Sequence, residues 1–224
     1  MLLLILLICI ILLKAITSVN TEKIKSLDEI YNLAENGDLI YFRWTKVSFL
    51  HEMISPFTHI GIIIINPETN EKLIVESHLA GDTKHIGNDK GGINTYPLKL
   101  RLSTYDGYTF LSKIKIHPTD TDTLIFWRNL ETFKSNIPFN NKYEEYFKKT
   151  CIKRRLCEGC FDVEKRDDMM CSEFVGFALK QLNILPKDFN HECLAPGDFR
   201  YINYINYINY NKEKLYGNII MVKK

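Results

Sequence analysis

Short apolar runs separated by polar turns predict that the first half of the chain forms a sheet. Leu39–Phe42 is a brief apolar run between turn residues and is typical of a strand. Thr58–Ile65 is rich in β-branched residues and almost wholly apolar, which indicates a strand buried on both faces. The turn cluster 66–70 separates this run from another strand at Lys72–Ser77. We therefore expect the second and third strands to form a hairpin.

Helical spacing of apolar residues predicts three helices, with one further strand among them. The helices are expected at Glu22–Glu35, where Ser26 is a suitable cap, at Asp120–Ser135 and at Cys171–Leu182. The strand is expected at Tyr108–Ile116, where apolar and polar residues alternate. A polar, glycine-bearing loop is expected between Gly81 and Gly92, and a charged insertion at Cys151–Asp168.

Composition indicates one globular domain and gives no sign of a nucleic-acid partner. Hydrophobic residues make up 46% and charged residues 25% of the 224 residues. The 29 basic and 27 acidic residues give a net charge of only +2, without the basic excess of a nucleic-acid binder. We expect residues 22–224 to form a single domain, because about 200 residues suit one core.

The N-terminal residues 1–18 are predicted to target the chain to a membrane. Leu2–Leu13 is an unbroken apolar run, but in a helix it would rise only about 18 Å, against the roughly 30 Å of a bilayer core. No basic region precedes it, as one would in an ordinary signal peptide. Both readings stay open: a retained anchor that associates with the membrane through residues 2–16, or a signal peptide whose removal leaves a secreted protein.

The cysteines allow three interpretations. Five lie outside the apolar tract, at positions 151, 157, 160, 171 and 193. Cys157 and Cys160 have metal-ligand spacing, and Cys151, His191 or Cys193 would have to complete a zinc site. A disulfide is the second interpretation. A zinc module usually has two close pairs and only one is visible, so we favour reduced cysteines and expect neither metal nor cofactor.

Cys171 is the strongest candidate nucleophile. It opens the amphipathic helix within the run Met170-Cys171-Ser172-Glu173. A thiol in a first turn faces unpaired backbone donors and the positive end of the helix dipole, which favours the thiolate. Because cysteine is also a common core residue, this position is suggestive only in combination with a base.

His59 and Glu76 are the candidate partners of that thiol. An imidazole at the start of an otherwise apolar strand needs a partner, since burying it unpaired lowers stability. If the hairpin turn centres on residues 68 and 69, Gly61 lies opposite Glu76 and His59 lies opposite His78. His59, Glu76 and His78 then share a face, and Glu76 can orient the imidazole. A slip by one residue would move Glu76 to the other face.

Together these motifs resemble the circularly permuted branch of the papain-like NlpC-type superfamily. NlpC-type peptidases have a helix that begins with a Cys-Ser motif, followed by a Gly-Asp strand and a His-x-Gly strand. Here Gly37–Phe42 and His59–Ile62 come first and Cys171–Glu173 follows, which is the permuted order. The YiiX-like cysteine hydrolases share most of these motifs, and poxvirus and lecithin retinol acyltransferase proteins are relatives. Ile137–Asn140 and Ala195–Phe199 resemble two further segments of the family.

The resemblance implies an α+β fold in which an antiparallel sheet packs against the nucleophile helix. It implies Cys171 as the nucleophile, His59 as the base and Glu76 as the orienting residue. The expected function is a cysteine-dependent hydrolase, an amidase, peptidase or esterase acting on an amide, ester or thioester bond. The expected substrate is a small-molecule, lipid or peptide acyl compound. Two alternatives stay open: a lipid acyltransferase of the same fold, and a non-catalytic binding or structural domain.

Overall fold

Seven strands form one mixed sheet in the computed structural model, which describes residues 21–45, 55–79, 91–138, 169–189, 191, 194–201, 203–205 and 212–224. The strand order is β1-β9-β6-β2-β3-β4-β5. β1 and β9 are parallel, and every other neighbouring pair is antiparallel. The strands are β1 Thr21–Ser26, β2 Leu39–Trp44, β3 His59–Ile65, β4 Lys72–His78, β5 Gly92–Pro97, β6 Gly107–Ile114 and β9 Tyr216–Lys223, and a separate ribbon pairs β7 Asn203–Ile205 with β8 Lys212–Lys214.

Helices cover both faces of this sheet, and the fold is α+β as expected. The two faces can be told apart in β2, where Leu39 and Tyr41 enter one core cluster while Ile40 and Phe42 enter the other. The first cluster includes residues of the two long helices, and the second includes residues of the two short ones. The short helices are α1 Leu27–Leu33 and α2 Leu98–Thr104, the long ones are α3 Asp120–Asn136 and α4 Cys171–Gln181, and a 3-10 helix spans Pro196–Tyr201.

The β3–β4 hairpin has the register that its turn predicts. Ile62 pairs with Val75, and the pairing continues to Ile65 opposite Lys72. Each pair conforms to a turn centred on residues 68 and 69. Hairpin register depends on turn length, which is a local property of the chain, so it was predictable from sequence.

Asp38 holds the start of β2 to two neighbouring segments. Its buried carboxylate accepts hydrogen bonds from the backbone N–H of Ile114 at 2.8 Å and of Glu35 at 2.8 Å. Lys113 Nζ adds an ion pair at 2.8 Å. Gly37, directly before it, has φ +87°, a backbone conformation that glycine adopts without strain. The Gly-Asp pair therefore anchors the strand that lies beside β3.

One predicted helix is partly wrong, and several elements were not predicted. The segment Glu22–Ser26 belongs to strand β1, because it pairs in parallel with the C-terminal strand β9. The helix begins only at Leu27, and Ser26 caps it together with Glu29. β5, α2 and β9 carry no strong local signal, and the two strands that pair with β9, which are β1 and β6, lie far away in sequence.

Several predictions concern residues outside the described part of the chain. These are the apolar segment 1–18, the loop after Gly81 and the insertion Cys151–Asp168. Among the helices that the structure describes, none combines the length and the apolar character needed to cross a bilayer.

Replacing Asp38 by alanine should lower the free energy of unfolding by about 2–4 kcal/mol, because two buried N–H groups and a lysine lose their acceptor. Urea denaturation measures the change. The matched control is Glu131→Ala. The Glu131 side chain is 80% exposed and pairs with Lys134, so its loss should change the free energy of unfolding by less than about 0.5 kcal/mol. Equal effects of the two substitutions would contradict this account of Asp38.

Candidate active site

His59 and Glu76 form the centre of the site. His59 Nε2 lies 2.9 Å from Glu76 Oε2. The Glu76 side chain is fully buried, whereas the His59 side chain is 15% exposed. Because His59 pairs with Phe42 and its ring lies 5.2 Å from the Phe42 ring, the imidazole has a fixed place at the end of the sheet. Glu76 is two residues from the position opposite His59, the diagonal neighbour on the same face.

Cys171 lies beside the same imidazole, close enough for its charge and a hydrogen bond to raise the pKa of His59. It is the first residue of α4, which packs on the opposite face of the sheet from Glu76. The two faces meet here because His59 is the first residue of β3, so its ring lies where the sheet ends. The structure therefore brings together all three side chains that the sequence proposed.

Strand β4 helps to place both sides of the site. Glu76 points to one face and contacts His59. The next residue, Ser77, points to the other face and donates a hydrogen bond from Oγ to the carbonyl of Met169 at 3.0 Å. Met169 lies two residues before Cys171, so the segment that leads into α4 is tied to the strand that carries Glu76.

The first turn of α4 is capped by a side chain of the same helix, that of Glu173. The backbone N–H of Met170 donates to Glu173 Oε2 at 2.8 Å. Glu173 and Ser172 are buried, and Phe174 and Val175 lie in the core. A cap and an apolar face together determine where the helix begins. Cys171 is consequently held at the start of a rigid element.

Arg101 is a site residue that the sequence did not reveal. It lies in α2, is 3% exposed, and its Nε donates to Glu76 Oε1 at 2.6 Å. Its guanidinium lies 4.7 Å from the Phe42 ring centroid and 5.3 Å from that of Tyr105. One signal was present: Arg101 is three residues after Leu98, so it lies on the apolar face of any helix formed there.

The pKa values of His59 and Glu76 move in opposite directions. Burial by itself would lower the pKa of His59, but the charges of Glu76 and Cys171 and hydrogen bonds to both raise it to about 9. Burial would likewise raise the pKa of Glu76, yet Arg101 and His59 lower it to about 2. Both shifts favour an imidazolium next to a carboxylate.

His78 lies in the same strand but has other partners. Its Nε2 is 2.6 Å from Tyr96 Oη and its Nδ1 is 2.8 Å from the carbonyl oxygen of Leu79. Burial lowers the pKa of His78, and the positive charges of His59 and Arg101 act in the same direction. A neutral His78 therefore supports the strand, and it is His59 that contacts the thiol.

Metal-ligating residues do not cluster in the part of the chain described here, where no group of three or more His, Cys, Asp or Glu side chains could hold an ion. Cys151, Cys157, Cys160 and Cys193 lie outside the described residues. His191 is described and packs against α4 at Gly176 and Phe177. Burial lowers its pKa to about 4.

The geometry defines an α+β fold in which a buried Glu76 and the partly exposed His59 and Cys171 form a side-chain cluster. No protein-family model matches the chain, and no curated protein matches it. Among solved structures, the chain is similar to the crystal structure of metalloprotein yiiX from Escherichia coli O157:H7, with 14% sequence identity and a TM-score of 0.41. The aligned region covers 66% of this chain and 66% of that chain, just under two thirds of its length. At this TM-score the similarity carries no functional argument.

The pKa shifts predict how stability depends on pH. The contribution of His59 is complete below its ordinary pKa near 6.5 and is lost as the pH rises from there to about 9. That of Glu76 is complete above its ordinary pKa of 4.5 and is lost as the pH falls to about 2. Relative to His59→Gln, the wild-type free energy of unfolding should therefore fall by about 1–3 kcal/mol between about pH 6 and pH 9.

Urea denaturation of the two proteins at a series of pH values tests this expectation. A difference between them that stays constant over the whole range would contradict the raised pKa.

Proposed function

We propose that this protein is a cysteine-dependent hydrolase of the permuted papain-like kind, in which Cys171 attacks an amide, ester or thioester carbonyl. The observation that carries the proposal is that one imidazole contacts both a helix-opening thiol and a buried carboxylate. A nucleophile, a base and a group that orients the base are the parts that acyl transfer requires. The order of the motifs along the chain agrees with the permuted family.

The two nitrogens of His59 have separate roles in this proposal. Nε2 faces Glu76, so Nε2–H donates to the carboxylate and Nδ1 is left for the thiol. Nδ1 takes the proton of Cys171, and the resulting thiolate and imidazolium form an ion pair. Glu76 holds the tautomer and stabilises the positive ring.

The reaction proceeds in two balanced steps. The thiolate attacks the acyl carbon, and the leaving group departs with the proton from His59 Nδ1, which leaves a thioester on Cys171. His59 then takes a proton from water, and the hydroxide attacks that thioester. The acid departs, and the Cys171 thiol is regenerated with the proton from His59. The backbone N–H of Cys171, at the start of α4, is suitably placed to donate to the oxyanion.

The substrate is proposed to be a small-molecule, lipid or peptide acyl compound. The apolar tract at residues 2–16 favours membrane association and hence a lipid or lipoprotein substrate. If an acyl acceptor other than water enters in the second step, the same site becomes a lipid acyltransferase. The two activities differ only in what attacks the thioester.

Replacing Cys171 by alanine should abolish acyl turnover, by a factor of about 10³ or more, and His59→Ala should have a comparable effect. The assay compares the full-length wild type with each variant on a panel of p-nitrophenyl esters, acyl thioesters and peptide amides. Transfer to an added lipid acceptor is measured in parallel and separates the acyltransferase from the hydrolase.

Iodoacetamide labelling with peptide mapping shows whether Cys171 is activated when no panel substrate is turned over. Cys171 should react fastest of the six cysteines, and His59→Ala should remove the preference. The matched control is His191→Ala, which deletes a partly buried imidazole that packs against α4 at Phe177, more than one turn from Cys171. Unselective labelling in the wild type would favour a non-catalytic binding domain and refute the proposal.

A further inference from the structure

The Glu76 carboxylate is bound from two sides. Oε2 contacts His59 Nε2 at 2.9 Å and Oε1 accepts from Arg101 Nε at 2.6 Å. The two contacts come from different elements. His59 belongs to β3, the strand beside β4, and Arg101 belongs to α2, which packs on the face of the sheet to which Glu76 points. Because Glu76 is fully buried and Arg101 nearly so, water cannot replace either contact.

The Arg101 side chain is held in place by packing as well as by charge. The rings of Phe42 and Tyr105 flank its guanidinium. A guanidinium bound in this way has little conformational freedom. Phe42 also contacts the His59 ring, so the same aromatic side chain touches both partners of Glu76.

A count of charges shows what Arg101 contributes. In the reactive form that we propose, Cys171 and Glu76 are negative and His59 is positive, which leaves one uncompensated negative charge in a buried site. Arg101 supplies the missing positive charge, so the four side chains form two ion pairs with no net charge. Low-dielectric surroundings strongly favour such a neutral arrangement.

We infer that Arg101 is a positioning residue of this active site, whose fixed positive charge keeps Glu76 ionised and directed at His59. The inference rests on the proposed function, and it adds a fourth member to the site. Arg101 acts through Glu76 and needs no contact with the substrate. Its substitution should therefore change the pH dependence of Cys171 reactivity, and not merely its amount.

Other titratable groups face this cluster and must be included. His78, on β4, interacts with Glu76, His59 and Arg101, and its own bonds to Tyr96 and Leu79 are those of a neutral ring. Lys224, after β9, interacts with Arg101 and lies over the Tyr105 ring at 5.8 Å. Lys224 is more exposed than Arg101. It therefore cannot take over the contact with Glu76 when Arg101 is replaced.

Removing a cation raises the pKa of each ionisable group that remains near it. Without Arg101, a negative charge on Cys171 loses a nearby cation, so we expect the acidic limb of Cys171 reactivity to move to higher pH. A purely structural role would instead lower the reaction rate at every pH without moving the midpoint.

The test measures the second-order rate of iodoacetamide alkylation of Cys171 against pH, by peptide mapping of the full chain. Arg101→Gln keeps an N–H donor but removes the charge, and its acidic midpoint should rise by about one pH unit or more. Arg101→Lys keeps the charge, and its midpoint should stay within about half a unit of the wild type. Below the midpoint, the Gln variant should react about tenfold more slowly.

The matched control is Lys113→Met, which removes a cation from the buried carboxylate of Asp38 near the opposite end of β2. It should lower stability and leave the Cys171 midpoint unchanged. An unmoved midpoint in Arg101→Gln would overturn the role of Arg101. If that variant does not fold, Arg101→Lys decides, since a shift of about one unit with the charge retained would overturn the role equally.

Failure of the proposed function would look different. In that case the wild-type midpoint would be that of an ordinary thiol and would not change in His59→Ala. That result would remove the active site itself, and the inference about Arg101 with it.

Discussion

The site depends on one buried carboxylate, that of Glu76, and on the two cations that satisfy it. A carboxylate without water must be paired or protonated. Here Arg101 and His59 pair it from two elements, so the ion pairs also hold α2 and β3 against β4. Any displacement of these elements would leave a buried charge unpaired. The same interaction therefore maintains the local fold and prepares the imidazole for its proposed role.

This arrangement is possible because helices pack on both faces of the sheet. Glu76 lies on the face covered by α1 and α2, whereas Cys171 begins a helix on the other face. They are connected through His59 because it occupies the end of β3. Ser77, on the opposite face from Glu76, ties the segment before Cys171 to the same strand. A thiol and a carboxylate can thus lie in different layers and still interact with one imidazole.

The chemistry proposed for this domain follows from contacts within the molecule, since the similarity to metalloprotein yiiX is too distant to carry it. An imidazole that lies between a thiol and a carboxylate is suited to acyl transfer. These contacts do not select the acyl group, which is determined by the residues that bind the substrate. The site therefore supports the proposed class of reaction, acyl transfer by a thiol.

The sequence by itself determined the features that depend on neighbours along the chain. The β3–β4 register followed from the turn, Ser26 was identified as a helix cap, and the periodicity of α4 placed Cys171 at a helix start. Long-range features were beyond it. Glu22–Ser26 became a strand because β9 lies beside it, and a strand partner about 200 residues away leaves no local pattern. Arg101 was missed because a charged residue on a helix normally faces water, and only the packing of α2 over Glu76 made its burial favourable.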